Sequence, residues 1–277
     1  GMTWLRPALG LSREALRDWL RAEGVAWHDD PSNADLARDR PKARAALSAL
    51  APLGLTAERL AETAARLAED ADHLAAESLA LVRRAAVIGG AGEIRLDRAA
   101  LRAAPRPVRR RVLARLATRL AGAAHAPRAA SLEAVMQAIE APDAPRRTLH
   151  GLSIDADAET LALHREPARI PESVPARALW DGRWRLETAP EGQETRLGAL
   201  ESKGLAALKC AQLEGTWSPP EAWRSASRDA KRVSPALWSG ETLLCAPLAG
   251  FGAARAVDAV AAEFGLEPAP VGHVSSR

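Results

Sequence analysis

Apolar side chains in the first fifty residues come in short clusters, broken by prolines and one polar turn. Residues 3–9 (TWLRPAL) read as a short extended piece, because Pro7 forbids an earlier helix start. Ser12 then caps a helix to about Glu23, with Leu11 and Leu16 placed as a hydrophobic staple and Gly24 just past the end. VAWH (25–28) predicts one short strand. In DDPSNADLARDRPKARAAL (29–47), two acids lead into a Pro-Ser-Asn turn and cations follow at Arg38, Arg40, Lys42 and Arg44. Pro41 suits the first position of a second helix, which runs to about Leu50.

From Thr56, a cap, the pattern becomes regular. Small apolar residues recur at Leu60, Ala64, Leu67, Ala71, Leu74, Ser78 and Leu81, alternating steps of four and three, a heptad seam. A helix of ~30 residues would be ~45 Å long, and the GGAG at 89–92 stops it. Two more helices are expected at about 107–121 and 128–140; Val108, Val112, Leu116 and Leu120 share a face of the first, beside a column of Arg111, Arg115 and Arg119. Residues 55–140 therefore read as a helical bundle. After Pro142 and Pro145 the period falls to two, and TLHGLSID and ETLALHR predict a hairpin. The prolines of 165–177 suggest a linker. Beyond it lie hairpin turns at Asp181-Gly182 and Ser239-Gly240 and helices at 203–213 and 220–230, a small α+β domain.

Composition adjusts this picture in three ways. Alanine makes up much of the 47% hydrophobic content, so close helix packing and thin cores are expected. Positive charge is carried by 34 arginines against four lysines, which a G+C-rich coding bias would produce by itself. Net charge is only +3, but it is unevenly placed: Arg98 to Arg119 holds eight arginines and no acid. Such a run is a local footprint for a polyanion; the plain alternative is a wet helix face. Two distant cysteines, Cys210 and Cys245, fit a reducing cytoplasm, and no apolar run suits a membrane span or export signal.

The familiar nucleotide and hydrolase motifs are missing: no GxxxxGK[ST], GxGxxG, HExxH or GxSxG occurs. GGAG ends a helix instead of opening one, so it does not cradle phosphate. The six histidines show no metal-ligand spacing. The remaining candidate is 29–47. With Pro41 opening its helix, Arg40 at the cap and Arg44 one turn on can face one anion, and Asp30 and Asn33 can fix the preceding turn.

Arg6-Pro7, the Asp30-Pro31-Ser32-Asn33 turn, and Arg40 and Arg44 before the leucine-rich helix start follow one pattern. That pattern resembles the tRNA(Ile)-lysidine synthetase family, also called the MesJ family; Pro41 stands where that family usually has Asn. The similarity continues through LALHREPA and ALW, LGAL, SPALW and APL near the end. The resemblance implies a mostly α, multi-domain protein: a remnant of an α/β ATP-pyrophosphatase (PP-loop) domain at 1–50, a helical tRNA-binding domain ending in a hairpin at 51–168, and a C-terminal α+β domain at 175–277. It implies a cytoplasmic ATP-dependent ligase that adenylates the wobble cytidine of isoleucine tRNA and attaches lysine. The SGGxDS loop of the family is absent, so the chain is expected to be a truncated or split form, inactive alone. Arg40 and Arg44 would lie near ATP phosphates, and Arg109, Arg110, Arg111, Arg115 and Arg119 would hold tRNA. ATP with Mg belongs to the full enzyme, with none expected on this chain alone. Isoleucine tRNA, lysine and ATP are the implied partners, with no membrane and a homodimer left open. The rival expectations are a stand-alone RNA-binding protein and a helical scaffold for a protein partner.

Overall fold

The structure, a computed structural model, describes residues 4–5, 7–29, 36–141, 146–187 and 194–267. The chain divides into two compact units, 1–69 and 70–277.

In the first unit α1 (Arg13–Ala22) is capped as its sequence predicts: Ser12 Oγ accepts from Ala15 N–H at 3.0 Å, and Gly24 follows at φ +64°. Residues 25–28 do not form the expected strand. Their chain runs back to α1, where Arg17 and Arg21 lie 5.8 and 5.5 Å from the Trp27 ring centre and Arg13 and Arg17 pair with Asp29. Aromatic-cation contact replaces strand pairing. The second helix, α2 (Asp39–Leu50), starts two residues before Pro41. Proline is tolerated at that third position because a first-turn N–H has no intrahelical acceptor to lose. Asp30 and Asn33 lie outside the described residues.

A 29-residue helix, α3 (Ala57–Ala85), carries the boundary between the units. It ends before the glycines. Val87 and Ile88 are β-branched, and β1 (Ala86–Ile88) pairs with β2 (Ile94–Asp97), so GGAG becomes a hairpin turn. Then come α4 (Arg98–Ala103), α5 (Arg106–Leu120) and α6 (Ala129–Glu140). The expected single hairpin is three strands, β3 (Arg147–Leu149), β4 (Leu152–Ala156) and β5 (Thr160–Arg165), which join β1 and β2 in one antiparallel sheet of order β1-β2-β5-β4-β3. The helices therefore pack on a sheet as well as on one another, a correction to the plain bundle. One core unites them: Leu81 of α3, Leu113 and Leu116 of α5, Ile139 of α6, and Ile94, Leu152 and Leu163 of the sheet are all fully or almost fully buried.

The proline-rich stretch is partly built in, since β6 (Val174–Pro175) pairs with a later strand. Asp181 and Gly182 both have positive φ, +54° and +63°, as the predicted turn requires. After β7 (Trp184–Leu186), β8 (Arg196–Ala199) and α7 (Glu201–Leu213), the expected 220–230 helix is two, α8 (Glu221–Ser225) and α9 (Arg228–Arg232), because Ser227 caps the second. The final hairpin, β9 (Pro235–Ser239) and β10 (Thr242–Cys245), turns at Gly240-Glu241, one residue later than expected. β10-β9-β8-β6 is a four-stranded sheet, and β11 (Ala256–Asp258) pairs with β7. Last, α10 (Ala259–Phe264) returns to the first core through Val260, Ala261 and Phe264.

Candidate nucleic-acid interface

The Arg98–Arg119 run spans α4 and α5, and the fold sorts its eight arginines by depth. Arg98 is wholly buried: its guanidinium donates to Ile139 O at 2.9 Å, to Ala138 O at 2.8 Å and to Asp157 O. Arg102 reaches the same Ile139 carbonyl at 2.8 Å. These two cap the end of α6, where four carbonyls lack intrahelical partners. They are structural.

Acids brought in by α6 and α10 offset three more. Arg106 pairs with Glu133 at 2.6 Å, Arg109 with Glu140, and Arg119 with Glu263, its Nε donating at 2.8 Å. Arg109 is mostly covered, and its Nε is buried with no acceptor. Arg115 lies 5.3 Å over the Phe264 ring. Arg110 and Arg111 remain, exposed on α5 with no ion pair or hydrogen bond among the described residues. The run that is acid-free in sequence is thus not acid-free in space. Glu133 and Glu140 sit one heptad apart, a spacing the sequence does carry; Glu263, over a hundred residues away, leaves no local signal.

Of the column Arg111, Arg115 and Arg119, all three are exposed, but only Arg111 has a fully uncommitted charge. In the first unit Arg40 and Arg44 are exposed one turn apart near the start of α2, whose N-cap, Arg38, makes no side-chain capping bond. The Arg17–Trp27–Arg21 stack was missed by the sequence reading, although the four-residue spacing of Arg13, Arg17 and Arg21 marks one helix face.

Charges inside the second unit are paired across elements. Arg146 bridges Asp155 at 2.6 Å and Asp229 of α9 at 2.5 Å, and the buried His164 places Nε2 3.1 Å from Asp155. Hydrogen bonding from His164, then Arg146, holds Asp155 down at about 2 against the opposing effect of burial. Asp181 is the reverse case: burial pushes its carboxyl up to about 6 although Arg165 pairs with it at 2.8 Å. A cavity of about 680 Å³ opens elsewhere, beside Ser173, Arg196, Lys203, Arg232 and Trp238. Two of its cations have acidic partners, Lys203 with Glu241 and Arg232 with Asp229, while Arg196 donates to Ser173. Among the described residues no group of three His, Cys, Asp or Glu side chains gathers to hold a metal ion, and no helix is long and apolar enough to cross a membrane.

No family model matches the chain. Curated proteins do. A tRNA(Ile)-lysidine synthase of Ruegeria pomeroyi is 37% identical over 90% of this chain and 57% of its own length. One of Rhizobium meliloti is 33% identical over 66% of this chain and 40% of its own, and one of Brucella suis is 30% identical over 87% and 53%. The chain belongs to the tRNA(Ile)-lysidine synthase family. It spans about half the length of the curated relatives it matches.

Proposed function

We propose that this chain supplies the RNA-holding part of a tRNA(Ile)-lysidine synthase, an ATP-dependent ligase that adenylates the wobble cytidine of isoleucine tRNA and then joins lysine to it. In this reading 1–50 closes the ATP-pyrophosphatase domain, 51–168 and 175–277 hold tRNA, and Arg40 and Arg44 face ATP phosphates. In this reading ATP with Mg belongs to the full enzyme. The chain alone is expected to leave pyrophosphate release at background in the presence of ATP, lysine and isoleucine tRNA.

The observation that carries the reading is the pair Arg110 and Arg111: two exposed, unmatched arginines on a rigid helix, with Arg115 one turn away. Phosphate contacts need positive charge at fixed positions and no base recognition. Arg109 and Arg119 lie on the same helix, but their acids already neutralise much of what they offer. Fluorescence anisotropy with labelled tRNA over a salt series tests this. Replacing Arg110 and Arg111 by Gln should make the slope of log affinity against log salt shallower by up to about two units. Replacing Arg109 and Arg119 should change it less. An unchanged slope in the first variant leaves α5 as a wet helix face and defeats the reading.

A further inference from the structure

The turn between β1 and β2 reaches into the C-terminal part of the same unit. It is closed by Gly89 N–H donating to Glu93 O at 2.7 Å and by Gly92 N–H donating to Gly89 O at 3.0 Å. Each glycine has a steric reason. A Cβ on Gly90 would fall on the backbone carbonyl of Ala222 in α8. One on Gly92, at φ +84°, would sit 2.7 Å from the Trp184 ring, and one on Gly89 would meet the Glu93 carboxylate. Ala91 is buried in the apolar cluster of Leu200, Trp223 and Trp238. The Gly92 carbonyl accepts from Arg183 Nη2 at 2.5 Å, and Arg183 also binds Asp258. Glu93, itself buried, turns back and accepts from Ala91 N–H at 3.0 Å. The tip is thus gripped by α8 on one side and by the strand ends of β7 and β11 on the other.

The strands leading to this tip share a core with α5, whereas α8 and α9 carry the exposed cations Arg224 and Arg228. We propose that Gly90, with Glu93 behind it, is a positioning residue for RNA: the 89–92 tip fixes Arg224 and Arg228 relative to Arg110 and Arg111, so that one RNA engages both patches at once. This rests on the RNA-holding reading above. Two weak patches held in the right geometry make the second contact intramolecular, which raises affinity by ~10²–10⁴ and is lost when the geometry is lost. Gly90 touches no RNA; it acts through α8. Loss of the key therefore weakens an RNA long enough to span both patches and spares one that reaches a single patch.

The test is anisotropy on Gly90→Ala and Glu93→Gln in the full chain, with isoleucine tRNA and with a short RNA hairpin at the same salt, alongside amide hydrogen exchange. G90A should weaken tRNA binding at least ~10-fold and hairpin binding by no more than ~2-fold. Exchange should quicken at 221–232 while α5 stays protected. E93Q keeps the shape and drops the charge, so it should weaken tRNA binding ~3-fold and spare the hairpin. Unchanged tRNA affinity in G90A, or equal losses on both RNAs, overturns the key. If G90A does not fold, E93Q decides on the same two RNAs. A wild type that binds neither RNA overturns the RNA-holding reading and the key with it, whereas wild-type binding with an indifferent variant overturns the key alone.

Discussion

Residues 1–69 and 70–277 use similar sequence to opposite effect. Both have amphipathic helices with good caps, and both are rich in Ala, Leu and Arg. In 70–277 the apolar faces close into cores; in 1–69 only Pro41 is buried among the described residues, and α1 buries nothing. Among the described residues, twelve of the fifteen exposed large hydrophobic side chains belong to 1–69, among them Trp4, Trp19, Leu53 and Leu67. Helix signals are local and survive without packing partners; burial is not local. The difference teaches that secondary structure and interior are separable: among the described residues, 1–69 has the helices of a folded domain with almost no buried side chain.

The widest gap between the units should appear on deleting a leucine. Leu116→Ala, at a site with no exposure, is expected to cost about 2–5 kcal/mol, whereas Leu67→Ala, 62% exposed, should change stability by about 0.5 kcal/mol or less. Urea denaturation followed by circular dichroism measures both. Similar costs would mean that 1–69 has an interior after all.

Arginine should show the same contrast on a smaller scale. Arg98→Met takes this donor from the carbonyls of Ala138 and Asp157 and leaves Ile139 with Arg102 alone, and a loss of about 3 kcal/mol is expected. Arg111→Gln, on the exposed face of α5, should stay within about 0.5 kcal/mol. If the two were equal in thermal melts, depth would not be what sorts this run.

Titration gives the smallest and sharpest test. Asp181 has its carboxyl pushed up to about 6, so its charged form is a cost above that pH, relieved as pH falls from about 6 towards the ordinary carboxylate range. Wild-type stability should therefore gain up to about 2 kcal/mol between pH 7 and pH 4.5 relative to Asp181→Asn, which also tolerates the positive φ. Asp155 has the opposite sign: held at about 2, it contributes stability above the ordinary carboxylate value and loses it as pH falls through 3 towards 2. Parallel pH profiles for wild type and D181N would show that Arg165 outweighs the burial.

How much was legible in the sequence follows from range. The Ser12 cap, the Asp181-Gly182 turn and the leucine faces of α5 were readable because each depends on residues within one or two turns. Strands β1 and β2 were not, since Val87 and Ile88 are too few to show a period: they pair with Arg95 and Ile94 of β2, which is itself held by Leu161 and Leu163 of β5. The arginine run was visible as charge and invisible as structure. Its division into buried, paired and free members is decided by Ile139, Glu140 and Glu263, which arrive from other elements.

Arg98 has a further consequence. It gathers carbonyl oxygens from the end of α6 and from the turn after β4, much as a bound calcium ion would in a small extracellular domain. Unlike a metal, this cation is covalently part of the chain. No chelator strips it and no ion supply limits it, so this joint is complete as soon as the backbone closes around it. Its weakness is genetic instead: one codon change removes the whole joint, and lysine, with a single ammonium where a planar fork is needed, is no substitute.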